Sequence, residues 1–216
     1  MAVISAAGLA SLLAVSIDLV TTLILRSPSP PLTPLQRRVV TVAESQLGYR
    51  TDPSSSYCNR YSAYWRAGLS DCGPGLRDEE WCADFAAWVW RKAGVQFTYG
   101  LAPGDLDAAA ASFVEWGILH GTWYPVGSSY VPLPGDIAVY GLDLSTMTAA
   151  HVAVVTSYTE GARGPDVVNG DGDQLAFSDV EAGVDQWKAE LHRDGELLSG
   201  YVAPVRPPAP RRLAGK

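Results

Sequence analysis

The hydrophobic and polar positions divide the chain into a helical first half and an extended second half. Between Leu35 and Leu47 the apolar residues Val39, Val42, Ala43 and Leu47 recur at close to helical spacing, and Gly48 follows as a stop. From Cys82 the positions Phe85, Ala86, Val89, Trp90 and Ala93 trace a buried helical stripe, with Asp78, Glu79 and Glu80 suited to its first turn and Gly94 to its end. A third helix is predicted over Asp105 to His120, with Leu106, Ala110, Phe113 and Gly117 on one face and Gly121 beyond it. Tyr49 to Gly75, rich in Ser, Gly, Asn and Asp, reads as a structured loop with at most short helical turns. After Pro134-Gly135 the period becomes extended: Asp136–Tyr140, His151–Tyr158 and a segment ending at Asn169 are predicted strands, and Gly200–Val205 is a last apolar piece able to close the sheet. Helices first and closely spaced strands afterwards predict an α+β domain with an antiparallel sheet, because the short connections leave no room for helical crossovers.

The two ends differ from this middle. Residues Ala2 to Leu25 are mostly apolar and, as a helix, would extend about 36 Å, enough for a bilayer core. We read residues 1–26 as a signal-like segment or membrane anchor, with Asp18 against a stable span. Residues 27–34 (SPSPPLTP) form a proline-rich linker, 35–205 the domain, and 206–216 a flexible basic tail. The expected location is therefore outside the cytoplasm, secreted or membrane-anchored, with membrane contact only through residues 2–25. A net charge of −7 argues against nucleic acid as a partner. A monomer is expected.

Three cysteines leave at least one unpaired within the chain. If the domain is exported, a disulfide between Cys58 and Cys72 would pin the loop before the second stripe and leave Cys82 free. A zinc site lacks any C-x2-C or H-x3-H pair, and a calcium loop over Asn169–Asp173 would need Gly where Gln174 stands and Glu where Val180 stands. Neither a metal nor an organic cofactor is expected. Cys82 opens a helix, where the backbone dipoles favour the thiolate, although alone it reads equally well as a small buried hydrophobe. His151 opens a strand on the same face as Ala153 and Val155, at one end of a wall that the Cys82 helix should cover. Thiol and imidazole together make a nucleophile and base pair. Asn169, 18 residues after His151, can orient the imidazole after a hairpin; Asp171 is a second candidate or a companion that orders the site. The Asn169–Asp173 run is equally satisfied by a plain turn. Trp81, Tyr124 and Tyr140 could line a groove, with core packing as the alternative.

The runs WCADFAAWVWRKAGV at Trp81 to Val95, PGDIAVYG at Pro134 to Gly141, HVAVVTSY at His151 to Tyr158 and VVNGDGD at Val167 to Asp173 resemble the CHAP domain. CHAP domains are cysteine, histidine-dependent amidohydrolases/peptidases, papain-like and related to NlpC/P60. The upstream YCNRYSAYW segment and its second cysteine resemble secreted actinobacterial members. The resemblance implies a papain-like α+β fold, Cys82 as nucleophile and His151 as general base. The third position, usually the Glu of a Glu-x-Asn strand end, falls on Asn169, and Asp171 stands where the Asn would be. It also implies a peptidoglycan substrate, cleaved at the muramoyl-L-alanine bond (an amidase) or within a peptide or cross-bridge (an endopeptidase). The alternative expectation is a weak or inactive wall-binding module.

Overall fold

The computed structural model describes residues 31–51, 57–67, 72–73, 79–172, 183–193 and 195–205. The hydrophobic segment, most of the linker and the basic tail lie outside them. Among the described residues no helix is long and apolar enough to cross a membrane.

Helix α1 spans Pro34–Glu44. Thr33 caps it in a reciprocal capping box with Gln36, and Pro34 takes the first-turn position where a missing N–H costs nothing. The last linker residues therefore belong to the helix start. Helix α2, Arg60–Trp65, is a short helix inside the segment read as a loop; Asn59 caps it by accepting from the N–H groups of Tyr61 and Ser62. A disulfide joins Cys58 to Cys72, with Cα atoms 5.6 Å apart, so the chain just before α2 is tied to the chain leading into the next helix.

Helix α3, Cys82–Ala93, ends on Gly94 in the left-handed conformation. Glu79 and Glu80 precede it rather than forming its first turn, where the acidic residue is Asp84. Asp84 is buried and accepts from Ser62 Oγ and from Tyr99 OH, while its carbonyl accepts from Trp65 Nε1 at 3.0 Å. A buried carboxylate needs such partners, and here they fasten α2 and the Tyr99 segment to the start of α3. Helix α4 covers Ser112–His120, later than the periodicity predicts. Asp107 Oδ1 accepts from the Ala109 N–H and Ser112 Oγ from the Asp107 N–H, side-chain bonds that compete with helical ones; Leu106 is drawn instead into backbone bonds with Thr98 and Gly100.

The strands are β1 (Trp123–Pro125), β2 (Ile137–Tyr140), β3 (His151–Ser157), β4 (Asp166–Gly172), β5 (Gly183–Trp187), β6 (His192–Arg193) and β7 (Glu196–Val202). They form one antiparallel sheet in the order β1-β7-β2-β3-β4-β5, with β6 paired to β7. The last apolar piece joins the sheet as the end of β7, which inserts between β1 and β2. Helices α1 and α3 cover the face carrying Ile137, Val139, Val152, Val154, Val168 and Val184, making the main core with Phe85, Val89 and Trp90. The opposite face gathers Ala138, Tyr140, Ala153, Val155, Val167, Leu198 and Tyr201 into a second cluster, covered in part by Tyr130 and Leu191. The fold is thus α+β, with helices preceding an antiparallel sheet.

Where α3 crosses β4 the approach is close enough to exclude a side chain. A Cβ at Gly170 would fall 2.3 Å from Phe85 Cβ, so Gly170 lets the helix rest on the strand backbone and sets the height of Cys82 above the sheet.

Candidate functional site

Cys82, the first residue of α3, is the only free thiol among the described residues, and only 5% of its surface is exposed. Its sulfur accepts from the backbone N–H of Val152 on β3 and from that of Ala83 in its own helix. This places the thiol beside the strand position next to His151. β3 pairs with β4 only from Val154 onward, and β4 carries a register shift between Gly170 and Gly172. The sulfur therefore meets an N–H on the stretch of β3 that lies before its ladder with β4.

His151 does not stand on the wall that α3 covers. Its neighbours by alternation, Ala153 and Val155, belong to the second cluster, whereas α3 packs over Val152 and Val154. The expectation assigned the face by alternation correctly but gave that face to the wrong layer. Pattern alone cannot distinguish two buried faces, and every residue from His151 to Thr156 is buried. His151 and the N–H that meets the Cys82 sulfur belong to adjacent residues at the start of β3.

The ring is held by Asn169: His151 Nε2 and Asn169 Oδ1 are 3.0 Å apart, both side chains buried. An amide oxygen only accepts, so Nε2 carries the proton and the Nδ1 lone pair is left to act as base. Asp171, the residue read as a companion, works from the other side. Its Oδ2 accepts from the backbone N–H of Trp81 at 2.8 Å, at a helix start that has no side-chain cap of its own. Asp171 reaches it through a left-handed backbone (φ 63), a conformation that Asp tolerates better than most residues, at the β4 irregularity. The four candidates thus converge, with Asn169 orienting the imidazole and Asp171 fixing the helix start beneath the thiol.

The electrostatics favour the neutral pair. Burial, with Asp171 next, pushes the Cys82 thiol up to about 12, against the pull of the Val152 and Ala83 N–H groups. Burial, with Arg193 next, lowers His151 to about 3, while the bond to Asn169 acts in the opposite direction. At neutral pH both groups rest uncharged, Cys82 as a thiol and His151 as a neutral imidazole. The Ala83 N–H and the start of α3 are placed to stabilise negative charge on the sulfur.

Trp81 and Tyr140 are fully buried, Trp81 stacking on Tyr61, so both are packing residues; Tyr124 is half-buried and stacks on Tyr130. His120 Nδ1 engages the Trp116 carbonyl at a helix end. Among the described residues no group of three or more His, Cys, Asp or Glu side chains could hold a metal. Sequence reasoning missed Asp84, whose signal was an acid inside an apolar stripe, and it missed Asp185 and Arg193. Their strands, β5 and β6, are short and carry no alternation that marks them.

A model of the CHAP domain matches residues 73–170, which hold Cys82, His151, Asn169 and Gly170. The chain carries a CHAP domain. The CHAP family is a peptidoglycan-related family of hydrolases, and the four motifs that resembled it lie within or next to the matched stretch. Among solved structures the chain is similar to NlpC1 from Trichomonas vaginalis (13% identity, TM-score 0.42, covering 82% of this chain and 46% of that one). It is also similar to NlpC2 from the same organism (12% identity, TM-score 0.41, 81% and 47%). The chain spans less than half the length of either. No curated protein matches it.

Proposed function

We propose that this CHAP domain is a cysteine-dependent peptidoglycan hydrolase, acting as a muramoyl-L-alanine amidase or as an endopeptidase on the stem peptide or cross-bridge. The observation that carries the reading is the Nε2–H bond from His151 to Asn169, which leaves Nδ1 as the base on the residue next to the N–H that contacts Cys82. In this mechanism Nδ1 takes the thiol proton as sulfur attacks the amide carbonyl. The imidazolium returns that proton to the leaving amine, and water, activated by the same nitrogen, hydrolyses the thioester. Asn169 orients the ring without stabilising its charge, and Asp171 keeps the start of α3 in place. The reading also assigns the chain to an extracytoplasmic location, for which the Cys58–Cys72 disulfide and the apolar run at residues 2–25 are the supports. Residues 1–26 would then act as export signal or anchor, 27–34 as spacer and 206–216 as a basic tail outside the catalytic domain.

A second reading, a wall-binding module without turnover, draws on one observation: thiol and imidazole are both buried and both favour their uncharged forms. Mass spectrometry of purified peptidoglycan incubated with the protein, beside Cys82→Ala, decides between them. New fragments that appear only with the intact thiol carry masses that separate amidase from endopeptidase cleavage. Sedimentation of the protein with wall material that stays uncut would overturn the hydrolase reading in favour of the binding module.

A further inference from the structure

Behind Asn169 stands a carboxylate that none of the motifs contains. Asp185 lies directly across the β4–β5 ladder from Asn169, so the two side chains leave the same face of the sheet as nearest cross-strand neighbours. Both are buried. Asn169 Nδ2, a donor, and Asp185 Oδ1, an acceptor, are both buried without a hydrogen-bond partner among the described residues, and cross-strand register makes each the nearest complement of the other. The other carboxylate oxygen, Oδ2, accepts from Trp187 Nε1 at 3.0 Å. Gly172 makes the space: a Cβ there would lie 2.6–2.8 Å from the carboxylate atoms.

We propose that Asp185 is a positioning residue: its carboxylate holds the Asn169 amide with Oδ1 toward His151, and it supplies one residue farther back the negative charge that Asn169 lacks. The proposal deepens the cysteine-hydrolase reading above and rests on it for the role of His151. An amide rotated by half a turn would present its NH2 to Nε2, and His151 would then carry its proton on Nδ1, the nitrogen that must stay bare. A carboxylate accepts and cannot donate, so Asp185 selects one orientation of Asn169, and Asn169 selects one tautomer of His151. Burial raises Asp185 above the usual carboxylate range, while the bonds from Trp187 and Asn169 and the charges of Arg193 and Arg50 hold it down. Arg193, on β6, and Arg50, bridged to Gly183, are the cations around the carboxylate, and Arg193 also opposes protonation of His151.

The test is Asp185→Asn, which keeps the shape and removes both the charge and the one-way hydrogen-bonding preference. The nitrogen chemical shifts of His151 should report the Nε2–H tautomer in the unaltered protein and a mixture containing Nδ1–H in the variant. On solubilised peptidoglycan kcat should fall about 10- to 100-fold, with KM little changed, as for loss of a buried hydrogen bond to a charged group. Exchanging the two residues, Asn169→Asp with Asp185→Asn, keeps one carboxylate in the cluster and puts it directly on Nε2. The exchange should restore the tautomer and most of kcat, an outcome that remains readable if the single variant folds poorly. A merely structural Asp185 would lower stability and leave tautomer and kcat alone, and that result, or an exchange variant no better than Asp185→Asn, overturns the proposal. If the unaltered protein cuts no wall material while the tautomer still depends on Asp185, the hydrolase reading falls and the positioning role stands.

Discussion

Replacing Gly170 with alanine tests the contact that sets the site's geometry. The added methyl would fall 2.3 Å from Phe85 Cβ, 2.4 Å from Cγ and 2.7 Å from Cδ1, all well inside van der Waals contact. Phe85 is fully buried, and the nearest of these atoms is its own Cβ, so rotating the ring cannot relieve the overlap. Helix α3 has to rise from β4, or β4 has to bend. Overpacking of this kind costs about 1–3 kcal/mol, which in a domain of this size lowers Tm by about 3–10 °C. Phe85 lies three residues after Cys82 on the same helix, so the shift also moves the thiol away from the Val152 N–H. Misplacement of about 1 Å can cost on the order of 100-fold in rate. Calorimetry and wall hydrolysis, measured on Gly170→Ala and on Gly170→Ala/Phe85→Ala, give the answer. The double variant should not recover, because alanine retains the Cβ that clashes. A single variant with unchanged Tm and turnover, or full recovery in the double variant, would refute the claim that backbone-level contact between α3 and β4 positions the nucleophile.

Two further outcomes concern stability. His151 has a folded value of about 3 against an ordinary 6.5, so the unfolded chain binds the extra proton between these values; stability is complete above pH 6.5 and declines on acidification, by about 3 kcal/mol at pH 4. Asp136, raised to about 7 from 3.8 by burial, acts with the opposite sign, its contribution present below pH 3.8 and lost as pH rises through 7. Urea unfolding should therefore show the gap between the unaltered protein and His151→Gln widening from pH 4 to 6.5, and a gap independent of pH would contradict the burial argument. Reduction of the Cys58–Cys72 bridge, which closes a loop of 14 residues, should cost about 3 kcal/mol in the same measurement, with no loss signifying that the loop is held by packing instead.

Much of the architecture was legible because it depends on local rules. The stripe from Phe85 to Ala93, the glycine stop at Gly94 and the β-branched run after His151 each satisfy one periodicity, and each forms the element its period predicts. The start of α4 was not legible in this way. Its apolar spacing continues back to Leu106, but Asp107 and Ser112 close a competing turn that periodicity does not count. The strands β1, β5 and β6 are two to five residues long, too short for alternation to stand out, and they are held by their neighbours' hydrogen bonds.

The candidate site divides along the same line. By itself the sequence determined which chemistry was available: one thiol at a helix start, one histidine opening a strand, an Asn-Gly-Asp-Gly run a hairpin away, and two further cysteines spaced to bridge. Those are choices of residue type at positions whose local structure follows from their neighbours. The tertiary structure decided what faces what. It set the layer to which His151 belongs, the half-turn of Asp171 that brings its carboxylate under Trp81, and the pairing of Asn169 with Asp185 on a strand that no pattern announced. Each of these is a contact between segments far apart in the chain, set by strand register and by how closely α3 can lie on Gly170, and neither quantity is encoded in any single stretch of residues.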